Sequence, residues 1–191
     1  LRESNGFLPD LKEIEAIVGS PERMKRVKAI WINYPNNPTG ATCELSFYNE
    51  LVAWARRHNI IVCADSAYTE LTYDGWQAPS FLAADGAMEV GIEFQSLSKT
   101  YNMTGWRVGW AAGNATLVQG LGKIKTNVDS GQFMAIQHAA VTALESSQAC
   151  VHENIAQWQE RRDIIVDGLR GLGFEVAKPR GTFYIWTKTP K

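Results

Sequence analysis

The sequence predicts an α/β fold built on a mostly parallel sheet with helices on its faces. Short apolar segments alternate with amphipathic segments, an order that is typical of βαβ units. The clearest example is an apolar segment at residues 29–34, a helical pattern, and a continuous apolar run at residues 60–64. That run lacks polar alternation, which predicts a strand buried on both faces of the sheet. Strand, helix and strand at this spacing predict parallel pairing with a right-handed crossover.

The other elements are predicted from apolar spacing and turn residues. A short helix is expected after Asp10, which serves as its N-cap, with apolar residues at positions 11, 14, 17 and 18. Thr42 is expected to cap the helix between the first two strands, whose apolar face contains positions 45, 48, 51, 52 and 55. Two further strands are expected at residues 91–97 and 108–112, and helices at roughly 116–126 and 132–146.

The C-terminal part of the chain has a different pattern and predicts a second, smaller domain. A long amphipathic helix is expected to end before Gly173, with positions 155, 158, 165, 169 and 172 on its apolar side. Residues 174–177 and 182–186 are expected to form two strands. We therefore expect part of a large domain at residues 1–150, and the interdomain helix with the start of a small α/β domain at residues 151–191.

Composition and charge exclude several classes of protein. The chain has 191 residues, of which 20% are charged, and its formal net charge is −1. This balance gives no electrostatic basis for binding nucleic acid or an anionic membrane surface. No apolar run approaches the about 20 residues of a membrane-spanning helix. Cys43, Cys63 and Cys150 lack metal-ligand spacing, so we expect reduced thiols, a cytoplasmic location and no metal site.

Polar side chains follow three of the predicted strands. Asn37 comes after the first strand, Asp65 and Tyr68 come after the second, and Ser96 and Lys99 come after the third. Ligands of parallel α/β sheets bind at the carboxyl ends of the strands. If the three strands are neighbours, these side chains meet in one crevice.

The segment around Lys99 is the centre of this prediction. Lys99 lies between Ser98 and Thr100, and Arg107 follows it after a turn. A lone lysine in a turn is usually a surface residue, but this one belongs to a set of amide, carboxylate, phenol, hydroxyl and guanidinium groups. Pyridoxal phosphate requires such a set. Its aldehyde forms a Schiff base with a lysine, and a buried carboxylate keeps its ring nitrogen protonated. Its 3′-oxygen accepts hydrogen bonds from a phenol and an amide, and its phosphate binds arginine and hydroxyl groups.

Three motifs in this order resemble those of the fold-type I pyridoxal-phosphate aminotransferases of class I/II. They are Asn37–Gly40, Asp65–Tyr68, and Ser96–Lys99 followed by Arg107–Gly109. The resemblance extends over the whole chain. Within the family, residues 34–41 and 98–107 are most similar to the bacterial LL-diaminopimelate aminotransferase group and its alanine-aminotransferase-like relatives.

The resemblance implies a role for each residue of the set. Lys99 would hold the cofactor and then move a proton between the substrate Cα and the cofactor C4′. Asp65 would pair with the pyridinium nitrogen, and Tyr68 would bond the 3′-oxygen together with Asn37. Ser96 and Arg107 would hold the phosphate, with Ser98 approaching it. The implied catalytic residues are Lys99, Asp65 and Tyr68, and the implied cofactor-binding residues are Asn37, Asp65, Tyr68, Ser96, Ser98, Lys99 and Arg107.

The implied activity is transfer of an amino group between an amino acid and a 2-oxo acid, for example LL-diaminopimelate and 2-oxoglutarate. An alanine- or aspartate-type aminotransferase, a β-lyase or a decarboxylase would use the same lysine and aspartate. A non-catalytic pyridoxal-phosphate-binding domain of a regulator is the alternative of another class. The resemblance further implies a role in amino-acid biosynthesis and a homodimer, in which a second subunit completes each site.

The resemblance also indicates which parts of such an enzyme to expect elsewhere. The chain corresponds to roughly the middle half of a family member. The aromatic ring that stacks on the cofactor and the arginine that pairs with the substrate carboxylate are both expected outside residues 1–191. Arg180 is not an obvious substitute, because it precedes the predicted final strand. We therefore expect the chain by itself to lack a complete substrate site.

Overall fold

The computed structural model describes residues 1–190 and has a mixed, mostly parallel sheet at its centre. Its strands are β1 (Ala29–Asn33), β2 (Ile61–Asp65), β3 (Gly91–Ser96) and β4 (Gly109–Gly113). The strand order is β1-β2-β3-β4, with β1, β2 and β3 parallel and β4 antiparallel to β3. The predicted α/β class and the parallel pairing of the first strands are confirmed.

Helices flank the sheet and follow it along the chain. The α-helices are α1 (Leu11–Val18), α2 (Pro21–Met24), α3 (Leu45–His58), α4 (Ala87–Val90), α5 (Leu97–Thr100), α6 (Ala115–Val128), α7 (Met134–Glu145) and α8 (Ala149–Gly171). Short 3₁₀ turns occur at Glu3–Asn5, Phe81–Ala83 and Thr104–Trp106. Within residues 1–190 no helix is both long enough and apolar enough to cross a membrane.

The main hydrophobic core lies between α3 and strands β1 and β2. The buried residues of α3 are Phe47, Tyr48, Leu51, Val52, Trp54 and Ala55. They pack with Ile32 of β1 and with Val62 and Ala64 of β2. Burial of this apolar surface is the main source of stability here and fixes the two strands relative to each other. The strand ends, where the polar residues begin, are positioned by this packing.

The first helix confirms one predicted cap and corrects one predicted contact. The Asp10 carboxylate accepts hydrogen bonds from the backbone N–H groups of Lys12 and Glu13, at 2.9 and 3.1 Å. Leu11, Ile14 and Val18 pack against the core, whereas Ile17 is 74% exposed. Leu11, Ile14 and Val18 follow the i, i+3, i+7 spacing of one helix face, and position 17 lies off that face.

Two other predictions were wrong. Thr42 does not cap α3; Glu44 occupies the N-cap position without a side-chain cap bond, and the Thr42 hydroxyl accepts a bond from Arg180. Residues 174–177 and 182–186 are not strands; Val176 forms an isolated antiparallel bridge with Thr187, which lies just beyond the second range. Residues 180–182 pair instead with the loop at residues 71–73, and a φ of +65° at Thr182 bends the chain where the predicted strand would begin.

Helix α8 buries a face that contains three of the five predicted apolar residues, Ile155, Trp158 and Leu169, but not the other two. Ile165 and Leu172 are 51% and 76% exposed, although both were expected on the apolar side. The less exposed residues instead recur at three- and four-residue steps along one face: Val151, Ile155, Trp158, Arg162, Val166 and Leu169. The face is centred on Arg162, whose side chain is 2% exposed. Gly173 follows the helix with a φ of +87°, as its predicted role in ending the helix requires.

Candidate active site

Three parallel strands end in polar residues at one edge of the sheet. Asn33, Asp65 and Ser96 are the last residues of β1, β2 and β3. Asn33 is in register with Asp65, and Asp65 is in register with Phe94 of the next strand. The loops that carry the predicted site residues therefore all begin at the carboxyl edge of the sheet, where α/β proteins bind their ligands.

Asn33 joins the first two of these loops. Its side-chain amide donates to the backbone carbonyl of Asp65 at 2.9 Å, and its side-chain oxygen accepts from the backbone N–H of Asn37 at 2.7 Å. The residue fixes Asn37 relative to Asp65, but the sequence reasoning did not identify it. The signal was available, because Asn33 ends an apolar strand just as Asp65 and Ser96 do.

Asn37 and Tyr68 are brought together by this arrangement. The Asn37 Nδ2 lies 3.5 Å from the Tyr68 hydroxyl. Tyr68 is buried, at 5% exposure. This burial raises the pKa of the Tyr68 phenol, and hydrogen bonding with Tyr184 raises it further. The phenol therefore keeps its proton at neutral pH and can donate a hydrogen bond.

Lys99 lies in α5, directly after β3. The Ser96 hydroxyl accepts from the backbone N–H of Ser98 at 3.2 Å and so caps this short helix. The Lys99 Nζ lies 6.0 Å from the centre of the Tyr68 ring and 5.9 Å from that of Phe183. The side chain is half-buried, and among residues 1–190 it forms no ion pair. Its amine is available for chemistry, because no carboxylate in the described part of the chain binds it.

Arg107 lies on the connection that follows Lys99. The backbone N–H of Leu97 donates to the Val108 carbonyl at 3.3 Å, which closes the connection between the antiparallel strands β3 and β4. The Thr104 hydroxyl donates to the Ser98 carbonyl at 3.1 Å, and Arg107 Nη1 donates to the Thr104 carbonyl at 2.8 Å. Arg107 is exposed, with a left-handed φ of +53°. Its other N–H groups can bind an anion.

The two serines before Lys99 differ in exposure. Ser96 is half-buried, whereas Ser98 is 5% exposed. Asp65 differs from the expectation of a buried carboxylate, because its side chain is exposed at the open edge of the sheet. Its Oδ1 accepts from the backbone N–H of Ala67 at 3.3 Å. The carboxylate is thus accessible at the sheet edge that also carries Tyr68 and Lys99.

An aromatic cluster around Lys99 was not anticipated from the sequence. Phe183 packs edge-on against Tyr68, with ring centres 5.6 Å apart, and contacts Trp158 of α8 at 5.3 Å. Tyr184 lies next to both Phe183 and Tyr68, and its hydroxyl is 3.0 Å from the Tyr68 hydroxyl. The density of aromatic residues at positions 183–186 was visible, but it was interpreted as a strand.

Arg180 lies away from this cluster. Its guanidinium pairs with Glu44 at 2.8 Å and stacks over Trp76, 4.5 Å from the ring centre. Among residues 1–190 no group of three or more His, Cys, Asp or Glu side chains has an arrangement that could hold a metal ion. The described chemistry at the sheet edge therefore consists of an amine, phenols, an amide, a carboxylate, hydroxyls and a guanidinium.

Comparisons with known proteins agree with this geometry. The family model described as "Aminotransferase class I and II" matches residues 1–191. The chain is 53% identical over 191 residues to the LL-diaminopimelate aminotransferase of Moorella thermoacetica, covering 100% of this chain and 48% of that protein. It is 53% identical over 190 residues to the enzyme of the same name from Syntrophobacter fumaroxidans, again covering 48% of that protein. The chain spans about half the length of the curated relatives it matches.

Solved structures give the same result for the fold. Substrate-bound BacF from Bacillus subtilis superposes with a TM-score of 0.91 at 37% identity, over 100% of this chain and 47% of that one. A Thermus thermophilus aspartate aminotransferase double mutant superposes with a TM-score of 0.86 at 30% identity, over 98% of this chain and 48% of that one. The family model matches every residue of the chain, and the strand order brings the three motifs to one edge of the sheet. The chain belongs to the class I and II aminotransferase family.

Proposed function

We propose that the complete protein carrying this chain is a pyridoxal-phosphate-dependent aminotransferase. The observation that supports this most directly is the half-buried Lys99 amine, which has no ion pair among residues 1–190 and lies 6.0 Å from the ring of the buried Tyr68. Asn37 and Asp65 are at the same sheet edge, held by Asn33. Family membership adds that relatives of the chain are named as aminotransferases.

The side chains at the sheet edge fit pyridoxal phosphate by their chemistry. Bound pyridoxal phosphate supplies an aldehyde that joins amines and a ring that delocalises the electrons released at the substrate Cα. Lys99 would provide the first amine and, once displaced, would move the proton at the substrate Cα. The Asp65 carboxylate would hold a proton on the ring nitrogen. The neutral Tyr68 phenol would donate to the 3′-oxygen together with the Asn37 amide.

The phosphate end has its own residues. Arg107 has N–H groups that are not used by Thr104, and an arginine fork matches phosphate oxygens. Ser96 would add its hydroxyl, because the bond that it accepts from Ser98 leaves its own proton free to donate. The buried Ser98 would contribute less to phosphate binding than Ser96, because its side chain is less accessible.

For the substrate we propose LL-diaminopimelate as the amino donor and 2-oxoglutarate as the acceptor. The support is the 53% identity with two relatives that carry the name LL-diaminopimelate aminotransferase. Alanine or aspartate as donor, or a β-lyase reaction, would use the same Lys99 and Asp65. A panel of amino donors with 2-oxoglutarate as acceptor distinguishes these. Activity with alanine and none with LL-diaminopimelate would contradict the proposed substrate.

Replacing Lys99 tests the proposed reaction. In the complete protein, we expect Lys99→Ala to lose the yellow cofactor absorbance and to lower transamination more than about a hundredfold, because both the attached amine and the proton carrier are removed. Lys12→Ala, on an exposed position of α1, is the matched control and should keep both. A wild-type protein that contains no cofactor by mass spectrometry would refute the proposal.

The assembly and location expected from the sequence stay predictions. Exposed apolar residues on α6, α7 and their connection, such as Ile124, Val128, Phe133 and Met134, are compatible with a homodimer. Light scattering of the complete protein would test the dimer. The free thiols Cys43, Cys63 and Cys150 are compatible with a reducing, cytoplasmic environment.

A further inference from the structure

A second phenol contacts the hydroxyl of Tyr68. The Tyr184 hydroxyl lies 3.0 Å from it, and either oxygen can be the donor. The Asn37 Nδ2, at 3.5 Å, is the other partner of the Tyr68 oxygen. The two tyrosine rings pack with their centres 5.7 Å apart and an interplanar angle of 67°. Tyr68 is therefore held by a pair of polar contacts as well as by its buried ring.

Counting donors and acceptors decides how this contact must be used. A phenol has one proton to donate and two lone pairs to accept with. If Tyr68 donated to Tyr184, its only proton would be unavailable to any ligand. If Tyr184 donates instead, the Tyr68 oxygen accepts from Tyr184 and Asn37 and its proton is directed outward. Only the second arrangement agrees with a Tyr68 that donates to an anionic oxygen in the crevice.

We propose that Tyr184 is a positioning residue that donates its phenolic proton to Tyr68 and so commits the Tyr68 proton to the cofactor 3′-oxygen. This inference rests on the proposed function, since it requires pyridoxal phosphate beside Tyr68. Donation from Tyr184 also makes Tyr68 a better donor, because hydrogen bonds in a chain polarise one another. Tyr184 would act on the cofactor only through Tyr68.

The backbone holds Tyr184 in this place. Its N–H donates to the Thr182 hydroxyl at 3.1 Å. Thr182 is itself fixed on both sides, because its N–H donates to the Leu71 carbonyl at 2.9 Å and its carbonyl accepts from the Tyr73 hydroxyl at 2.8 Å. Thr182 is fully buried. The position of the Tyr184 hydroxyl is thus set by the fold rather than by a mobile surface side chain.

The test is Tyr184→Phe in the complete, cofactor-loaded protein. This change keeps the ring that packs on Tyr68 and Phe183 and removes only the hydroxyl. The readout is the apparent pKa of the cofactor-linked Lys99 nitrogen, taken from the pH dependence of the cofactor absorbance. We expect this pKa to rise by about 0.5 to 1 unit, the size of one net hydrogen bond. The rise follows because a weaker Tyr68 bond stabilises the negative 3′-oxygen less, which favours the proton on the neighbouring nitrogen.

Two further variants separate a direct effect from a loosened segment. Tyr73→Phe removes a phenol that fixes the same segment through the Thr182 carbonyl, and it should leave the pKa of the Lys99 nitrogen unchanged. Tyr68→Phe should raise that pKa by itself, and adding Tyr184→Phe should give no further rise, because Tyr184 acts through Tyr68.

The outcomes that overturn the inference are specific. They are an unchanged pKa in Tyr184→Phe, an equal rise in Tyr73→Phe, or a further rise in the double variant. Each of these requires a wild-type protein with bound cofactor, so each leaves the proposed function intact. A wild type without cofactor would instead refute the proposed function itself.

Discussion

Lys99 and Arg162 are two cations with opposite surroundings, and the segment at residues 179–184 lies between them. Arg162 has a side chain that is 2% exposed, and its guanidinium binds Asp74 through two nitrogens at 2.7 and 3.0 Å. It also donates to Asp163 at 2.8 Å and to the Pro179 carbonyl at 2.9 Å. Lys99 is half-buried, faces two aromatic rings, and has no carboxylate partner in the described chain.

This difference separates a structural cation from one that we propose to be chemical. A buried charge is tolerated only when it is paired and hydrogen-bonded, and Arg162 meets that requirement completely. Its guanidinium also stacks 4.6 Å from the centre of the Tyr73 ring, whose hydroxyl in turn holds Thr182. Lys99 has no carboxylate partner among residues 1–190, which leaves its amine free for the proposed attachment of the cofactor. Arg162 therefore supports the aromatic segment that faces Lys99.

The largest expected effect is the loss of stability when Arg162 is replaced, and a variant without that loss would contradict a structural role for this residue. We expect Arg162→Met to lower the free energy of unfolding by about 2–4 kcal/mol, because Asp74 and the Pro179 carbonyl lose the guanidinium, whereas Asp163 keeps its ion pair with Lys178. Asp74 and Asp163 keep some contact with water, which limits the loss. Urea unfolding of the complete protein measures it. Arg161→Met, on the exposed side of α8, is the control and should cost less than about 1 kcal/mol.

Acid should reduce the contribution of Arg162 to stability, because it protonates the carboxylates that Arg162 binds. Hydrogen bonds from Arg162 hold the pKa of Asp74 and of Asp163 below the usual 3.8. A lowered folded-state pKa gives stability that is complete above 3.8 and is lost as the pH falls through the lowered values. The stability difference between wild type and Arg162→Met should therefore shrink below pH 3.8 in unfolding measurements. A difference that stayed constant into strong acid would contradict the pairing.

The smallest expected effect is that of Lys99 on stability. In the cofactor-free protein, Lys99→Ala should change the free energy of unfolding by less than about 0.5 kcal/mol, because the removed amine pairs with no carboxylate of residues 1–190. The cofactor-free form is needed since a bound ligand adds its own stabilisation. A loss as large as that of Arg162→Met would mean that Lys99 is a structural residue.

Much of the sheet and its edge could be predicted from local sequence. The apolar run that becomes β2 and the polar residues Asp65 and Lys99 at or after their strand ends are local signals, and the structure has both residues at the carboxyl edge of the sheet, with Asp65 exposed rather than buried. Arg162 was missed because a charged residue was not considered for the centre of a buried helix face. Its burial depends on Asp74, which lies 88 residues away along the chain.

The prediction of a strand at residues 182–186 was wrong for a similar reason. Phe183 and Tyr184 have the composition of a strand, but residues 180–182 pair with the loop at residues 71–73 and Thr182 takes a left-handed backbone conformation. These tertiary contacts override the strand propensity of the segment, and a short stretch of sequence does not reveal them. The roles of the predicted site residues remain predictions to be tested with the variants above.

The order of the strands has a consequence for how the protein assembles. Because neighbours in the sheet are also neighbours in sequence, the loops carrying Asn37, Asp65 and Lys99 can come together through short connections as the chain emerges during synthesis. The contact between the two phenols closes a loop of much greater length, since Tyr184 lies 116 residues beyond Tyr68. Closing such a loop costs more chain entropy. We therefore expect folding to form the lysine crevice early and to add Tyr184 last, so that the nascent chain already contains the crevice before its second phenol arrives.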